Sequence, residues 1–234
     1  RILIPRMYGL FASLAQLPPL GSMYMFLPLD LFGTPEFSAM LQTLASIGRE
    51  TIEWNRQVEE LFDALRAHGF PGRVAMAGGG VPYDMISDFM RGMRGAMLDM
   101  YRRPDKLLAA IEKISAQTLA SIAAAPKAEG FTTSFIALHR GADGFMSLEQ
   151  FETFYWPYLK KLVYALVDAG YTPEIFFEGD YTQRLEYLRE LPKGRVIARM
   201  DRTDMTRAKE VLGGHMCISG NVPASLLQTG SVED

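Results

Sequence analysis

The feature that most constrains the fold is a repeated alternation of short apolar runs with helical patterns, which begins at Arg73 and continues to the end of the chain. Runs rich in apolar and β-branched or aromatic residues, bounded by glycine and polar loops, are typical of buried strands. The predicted strands are residues 73–77, 131–138, 175–177, 196–200 and 216–219. Strands that alternate with helices indicate βαβ units, so the sequence predicts a parallel α/β fold.

The helical patterns between these strands have clear boundaries. Residues 35–68 predict one or two amphipathic helices, which end at the breaker run 68–72. Further helical patterns cover 82–102 and 104–125, the second with Pro104 in its first turn. Ser147 and Gln150 have the spacing of a capping box and mark another helix start. We therefore predict one barrel domain over 1–234, in which 1–72 is mostly helical and 73–234 alternates.

Two parallel architectures fit five strands, a (β/α)₈ barrel and a doubly wound sheet. No Gly-x-Gly-x-x-Gly follows a strand, which leaves a dinucleotide-binding sheet with little support. A length of 234 residues suits one barrel, since such domains have about 250 residues. Because the chain starts at Arg1 rather than Met and stops just after a helix start, we expect it to be part of a longer protein.

Composition narrows the function classes. The net charge of −3 comes from 24 basic and 27 acidic residues without long runs of either sign, which argues against nucleic acid and membrane-surface partners. A single cysteine, Cys217, excludes an intrachain disulfide, and its place inside a strand predicts a buried side chain. With no secretory signal and no apolar run of about 20 residues, we expect a cytoplasmic protein without a membrane span.

Polar residues follow the predicted strands, and in parallel barrels the catalytic groups lie at these strand ends. The segments are Gly78-Gly79-Gly80, His139-Arg140-Gly141-Ala142-Asp143, Glu178-Gly179-Asp180, Asp201-Arg202-Thr203-Asp204 and Gly220-Asn221. The predicted catalytic residues are His139, Glu178, Asp180 and Asp201, and the predicted substrate-binding residues are Gly79, Arg140 and Asn221.

Each of these residues also has a structural interpretation. Asp180 could cap the next helix, and Asp201 could pair with Arg202. His139 could be an ordinary loop residue, and Asn221 could form a turn. The sequence leaves these alternatives open.

Three motifs resemble the uroporphyrinogen decarboxylase superfamily. They are Leu98-Asp99-Met100-Tyr101-Arg102-Arg103-Pro104, the run from Phe145 to Phe151 followed by Phe154 to Lys161, and Gly220-Asn221-Val222-Pro223. The resemblance covers about residues 73–234 and implies a (β/α)₈ TIM barrel. The visible strands would be its third to seventh, so the barrel would be incomplete at both ends of this sequence.

The resemblance implies two main chemistries, the cofactor-free decarboxylation of tetrapyrrole acetates and methyl transfer involving a corrinoid protein. Corrinoid-linked relatives usually place a His-x-Cys pair, ligands of a zinc that activates a thiol, before a Gly-Asp or Gly-Asn pair. Gly179 and Asp180 match that pattern, but Glu178 stands in place of the cysteine and Phe176 in place of the histidine. A mixed site of Glu178, Asp201 and His139 is chemically reasonable for zinc.

We therefore expect a corrinoid-dependent methyltransferase that moves a methyl group between a corrinoid protein and a small acceptor. Its expected partners are the corrinoid protein and a small-molecule methyl donor or acceptor, and zinc is the expected cofactor. The alternatives are uroporphyrinogen decarboxylation and a protein that binds a corrinoid or tetrapyrrole without turnover.

Overall fold

A computed structural model describes residues 33–70, 73–75, 79–128 and 130–231. The chain divides into two compact units, Arg1–Phe70 and Pro71–Asp234. In the first, Thr34 caps helix α1 (Pro35–Ala67) by accepting a hydrogen bond from the Phe37 N–H, so the helix predicted over 35–68 is a single one. That both units belong to one domain stays a prediction.

The second unit contains a parallel sheet whose strands lie side by side in chain order. The strands are β1 (Arg73–Ala75), β2 (Thr132–Leu138), β3 (Thr172–Phe177), β4 (Ile197–Met200) and β5 (Cys217–Ser219). This confirms the α/β fold with a parallel sheet. A doubly wound sheet reverses its strand order at a switch point. The sequential order here has no reversal among the described strands and is that of a barrel wall.

Helices follow the strands, and two π-helical turns and one 3₁₀ turn lie among them. The elements are α2 (Pro82–Met85) with a π-helical turn (Ile86–Met90), α3 (Met93–Arg102), α4 (Pro104–Ala124), α5 (Leu148–Gln150) with a second π-helical turn (Phe151–Tyr155), α6 (Trp156–Asp168), a 3₁₀ turn (Thr182–Arg184), α7 (Leu185–Leu188), α8 (Met205–Leu212) and α9 (Ala224–Thr229). The single helical pattern predicted over 82–102 is interrupted at Gly92, which takes a φ of 74°. Only glycine adopts such a φ readily, so the chain changes direction there.

The core lies between the sheet and its helices. Alternate residues of the central strands are buried, among them Ile136, Leu138, Ile175, Phe177, Ala198 and Met200. Ser147 and Gln150 form the predicted capping box, each side chain accepting the other's backbone N–H. This fixes the start of the helical segment whose apolar face buries Leu159 and Leu166.

Two expectations are corrected. Cys217 is exposed, because β5 pairs only with β4 among the described strands and its outer side chains lack cover. Helix α4 is, by length and composition alone, apolar enough to cross a membrane, contrary to the expectation that the chain has no such run. It packs against α6 and buries one face through residues such as Leu107 and Ile111. The cytoplasmic location stays a prediction.

Candidate active site at the strand ends

The strand register brings three predicted residues into one row. Leu138 is paired with Phe177, and Phe177 is paired with Met200. His139, Glu178 and Asp201 each follow one of these paired residues directly, so they leave neighbouring strands at the same level of the sheet. The structure therefore places these three on a single edge, as the sequence predicted.

His139 lies between two carboxylates. Its Nδ1 is 2.5 Å from Asp88 Oδ2, and its Nε2 is 3.8 Å from Glu178 Oε2. Burial alone would raise the pKa of Asp88, but the hydrogen bonds from His139 and Ser87 and the charge of Arg140 lower it below its usual value. An ionised carboxylate can only accept, so Nδ1 must carry the proton and donate. In the neutral ring Nε2 is then free to accept a proton or bind a cation.

A second carboxylate, Asp84, holds the backbone of the same segment. It is buried, and its Oδ2 and Oδ1 accept the N–H groups of His139 and Arg140, both at 3.0 Å. The Tyr155 hydroxyl donates to Oδ2 at 2.6 Å. Burial raises the pKa of Asp84 to about 6, and these hydrogen bonds act in the opposite direction.

Asp84 and Asp88 were not predicted, because neither residue directly follows a strand. Both lie in the first turns that follow the glycine loop, Asp84 on α2 and Asp88 in the π-helical turn. Such turns are frequent at functional sites. The available signal was the spacing of two acidic residues four apart in the otherwise apolar run 81–90, since residues at that spacing share one helix face.

Arg140 is committed to the protein rather than left free for an anion. Its Nη2 donates to Asp88 Oδ1 at 2.8 Å, and its guanidinium carbon lies 5.5 Å from the centre of the Phe145 ring. Asp88 therefore accepts hydrogen bonds from the side chains of His139 and Arg140, while Asp84 accepts hydrogen bonds from the backbone N–H groups of the same two residues. A substrate contact by Arg140 has to compete with this ion pair.

Glu178 and Asp201 differ in how far their carboxylates are occupied by contacts within the protein. Glu178 is 55% exposed, and its nearest ionic neighbour is His139. Asp201 Oδ2 accepts the backbone N–H of Gly179 at 2.9 Å and lies 3.9 Å from Nε of Arg202. Glu178 is thus the more available of the two for a ligand.

Three other predicted residues lie at the same edge in different roles. Asp180 Oδ1 accepts from the N–H and the hydroxyl of Thr182, at 2.9 and 2.6 Å, so it stabilises a local turn, while the cap position of the following 3₁₀ turn is Tyr181. Asn221 donates through Nδ2 to the Thr203 carbonyl at 2.8 Å and so ties the β5 loop to the β4 loop. Gly79 is exposed with a φ of 65° and no side chain of its own to contribute.

A buried ion pair joins the loops that follow β2 and β3. Arg184 is 1% exposed, pairs with Asp143 and donates to the Met146 carbonyl at 2.5 Å. The Asp143 N–H donates to the Asp180 carbonyl at 2.7 Å. These contacts fix the two loops that carry His139 and Glu178 relative to each other.

The three residues predicted to bind zinc, His139, Glu178 and Asp201, do not form a complete metal site. Within the part of the chain that the structure describes, no three His, Cys, Asp or Glu side chains converge on one point. His139 and Glu178 are two possible ligands, while Asp201 turns one oxygen to the Gly179 backbone.

A sequentially ordered parallel sheet with carboxylates, a histidine, arginines and an amide at its carboxyl edge is consistent with the wall of a barrel-type α/β enzyme. The chain belongs to the uroporphyrinogen decarboxylase (URO-D) family, whose model matches residues 30–234. No curated protein matches it significantly. Membership supports a URO-D-like barrel enzyme and is shared by decarboxylases and related methyltransferases.

Proposed function

We propose that this protein is the methyltransferase type of URO-D-like barrel enzyme, which closes an eight-stranded barrel and moves a methyl group between a corrinoid protein and a small acceptor. The observation that carries the proposal is His139, held by Asp88 with its Nε2 facing the exposed Glu178. A histidine fixed in this way is suited to remove the proton of an acceptor and leave it nucleophilic.

The charge of the strand-end edge favours this reading over decarboxylation. Among the described residues of this edge, carboxylates outnumber guanidinium groups: Asp84, Asp88, Asp143, Glu178, Asp180, Asp201 and Asp204 against Arg140, Arg184 and Arg202. All three arginines lie within ion-pair distance of a carboxylate, but Arg202 is 81% exposed and is 3.9 Å from Asp201, the longest of the three contacts. Such an edge repels a tetrapyrrole with eight carboxylates, whereas a corrin ring carries neutral amides.

In the proposed reaction the side chains of this chain handle the proton and the alignment. His139 Nε2 takes the proton of a thiol or similar acceptor, and Asp88 stabilises the imidazolium that results. The acceptor's electron pair then forms the bond to the methyl carbon, while the electrons of the broken cobalt–carbon bond stay with the corrinoid. Glu178 and Asn221 orient the acceptor, and the barrier depends mainly on that alignment.

An apolar patch beside the site supports a protein partner. Phe89 and Met90, which follow Asp88 directly, are 75% and 69% exposed, and Met93 is 49% exposed. Neighbouring large apolar side chains at a surface are typical of interaction sites. We propose that the corrinoid protein covers this patch when it presents the methyl group.

Zinc fits the described residues only in part. A catalytic zinc takes three protein ligands, and His139 with Glu178 supplies two. We therefore assign no step to zinc, and its presence stays a prediction that metal analysis tests. About one zinc per chain, lost in Glu178→Ala, would establish it.

The experiment compares two reactions of the purified protein. Methyl loss from methylcobalamin is followed by absorbance with 2-mercaptoethanol as acceptor, and uroporphyrinogen decarboxylation is followed in parallel by product analysis. We expect methyl transfer and a loss of about 10²-fold or more in His139→Gln, as for removal of a general base. Glu186→Gln, which changes an exposed glutamate on α7, serves as the matched control and should keep full activity.

Other outcomes replace the proposal. Decarboxylation without methyl transfer would make the protein a decarboxylase despite its acidic edge. Binding of methylcobalamin without turnover, unchanged in His139→Gln, would indicate a binding protein. Methyl transfer that survives in His139→Gln would remove the role assigned to this histidine.

A further inference from the structure

We propose that Asp84 is a positioning residue that fixes the orientation of His139 without touching the substrate. The inference rests on the proposed function only in that His139 is taken as the acting group. Asp84 is 3% exposed, and its carboxylate accepts hydrogen bonds from His139, Arg140 and Tyr155. Its influence on chemistry must therefore pass through the segment that it binds.

The geometry provides this route. Two consecutive N–H groups, those of His139 and Arg140, point at the two oxygens of one carboxylate. This fixes the two peptide planes that flank the Cα of His139, and with them the direction in which its side chain leaves the end of β2. Asp88, four residues further along, then receives both side chains.

The two carboxylates thus act on the same pair of residues at different levels. Asp84 binds their backbone, and Asp88 binds their side chains. If either of the peptide planes that flank the Cα of His139 rotates, Nδ1 of His139 moves away from Asp88. The ring then loses the contact that fixes its tautomer. Outer groups that orient a functional histidine typically contribute about 10–100-fold to activity.

Substitution of Tyr155 distinguishes a positioning role of Asp84 from a role in core packing alone. Its hydroxyl donates to the same Oδ2 as the His139 N–H, and the whole side chain is buried. In Tyr155→Phe the carboxylate keeps both backbone partners, so His139 should stay in place. In Asp84→Asn, either orientation of the amide presents an NH₂ group to one of the two N–H donors, so one backbone hydrogen bond is lost.

The test measures the tautomer of His139 by ¹⁵N NMR. The chain has three histidines, and the signals that disappear in His139→Gln identify those of His139. We expect one Nδ1–H tautomer in the wild type and in Tyr155→Phe. We expect a mixture of tautomers in Asp84→Asn, as in Asp88→Ala, which removes the direct contact. Where turnover is measurable, kcat should fall about 10–100-fold in Asp84→Asn with KM changed less than about threefold.

An unchanged His139 tautomer in Asp84→Asn would overturn the proposal, and so would an equal loss in Tyr155→Phe, because that result indicates general core disruption. If Asp84→Asn does not fold, amide hydrogen exchange in the wild type decides. Slow exchange of the His139 and Arg140 N–H groups supports the proposal, and exchange at the rate of an unprotected loop refutes it. The tautomer and hydrogen-exchange readouts do not require the proposed methyl transfer to be correct.

Discussion

The buried carboxyl of Asp84 should make the stability of the protein depend on pH in an unusual direction. Its ordinary pKa of 3.8 is raised to about 6 in the folded protein by burial. The folded state therefore holds this proton over a pH range in which the unfolded chain has released it. The stability that this proton provides is complete below about pH 4 and is lost as the pH rises through about 6.

The magnitude follows from the shift. One pKa unit corresponds to about 1.4 kcal/mol, so a shift from 3.8 to about 6 corresponds to roughly 3 kcal/mol in total. Between about pH 4 and pH 7 the expected loss is roughly 2–3 kcal/mol, because the unfolded group is already half ionised at the lower limit. The groups that interact with Asp84 are Tyr155, His139, Arg140, Tyr83 and Tyr181.

The assay is urea unfolding of the wild type and Asp84→Asn at intervals across this pH range. The difference in the free energy of unfolding, wild type minus variant, should fall as the pH rises. Repeating both measurements in a His139→Gln background removes the charge interaction between His139 and Asp84 from the comparison. Asp88→Asn provides a control of opposite sign, because the lowered pKa of Asp88 stabilises the fold at higher pH and that contribution is lost as the pH falls.

A difference between the wild type and Asp84→Asn that stays constant within about 0.5 kcal/mol would refute the reasoning. A difference that grows with pH would show that hydrogen bonds to the ionised carboxylate outweigh its desolvation. Either result would mean that Asp84 is ionised in the folded protein well below pH 6.

Three further predictions concern the neighbouring loops. Gly141→Ala should lower the free energy of unfolding by about 1–3 kcal/mol in thermal melts, because the added Cβ would lie 2.6 Å from Cε1 of Tyr155. The control Gly144→Ala, whose added Cβ would have no atom within 4 Å, should be near neutral. Equal effects of the two substitutions would contradict this prediction. Arg184→Met should cost about 3–5 kcal/mol in urea unfolding by leaving a buried carboxylate unpaired, and a loss under about 1 kcal/mol would refute the pairing. Asp180→Asn should keep more than half of the turnover, since an amide oxygen can accept in the same turn; a 100-fold loss would restore a catalytic role.

The strands and their end residues could be predicted because both depend on local sequence. Buried parallel strands are short apolar runs, and the residues after them must meet at one edge. His139, Glu178 and Asp201 were found in this way. The sheet edge could not be foreseen, and the exposed Cys217 shows the consequence, since its burial depends on whether another strand covers β5.

The carboxylates around His139 could not be predicted, because their partners are distant in sequence. The His139 N–H donates to Asp84 across 55 residues, and Nδ1 meets Asp88 across 51. In sequence, acidic residues in the first turns of a helix are most simply explained by the helix dipole and by solvent. Only the packing of α2 under the end of β2 turns them inward.

The sequential strand order also has a consequence for how the sheet forms. Paired residues are far apart along the chain at β1, where Arg73 meets Thr132, and much closer at the other side, where Ile197 meets Cys217. A longer loop has a larger entropic cost of closure, so pairing between near neighbours comes earlier. We expect β3, β4 and β5 to assemble first and β1 to join last. The glycine loop, Asp84 and Asp88 follow β1 in the chain, so among the described strands the pairing that completes the site would come last.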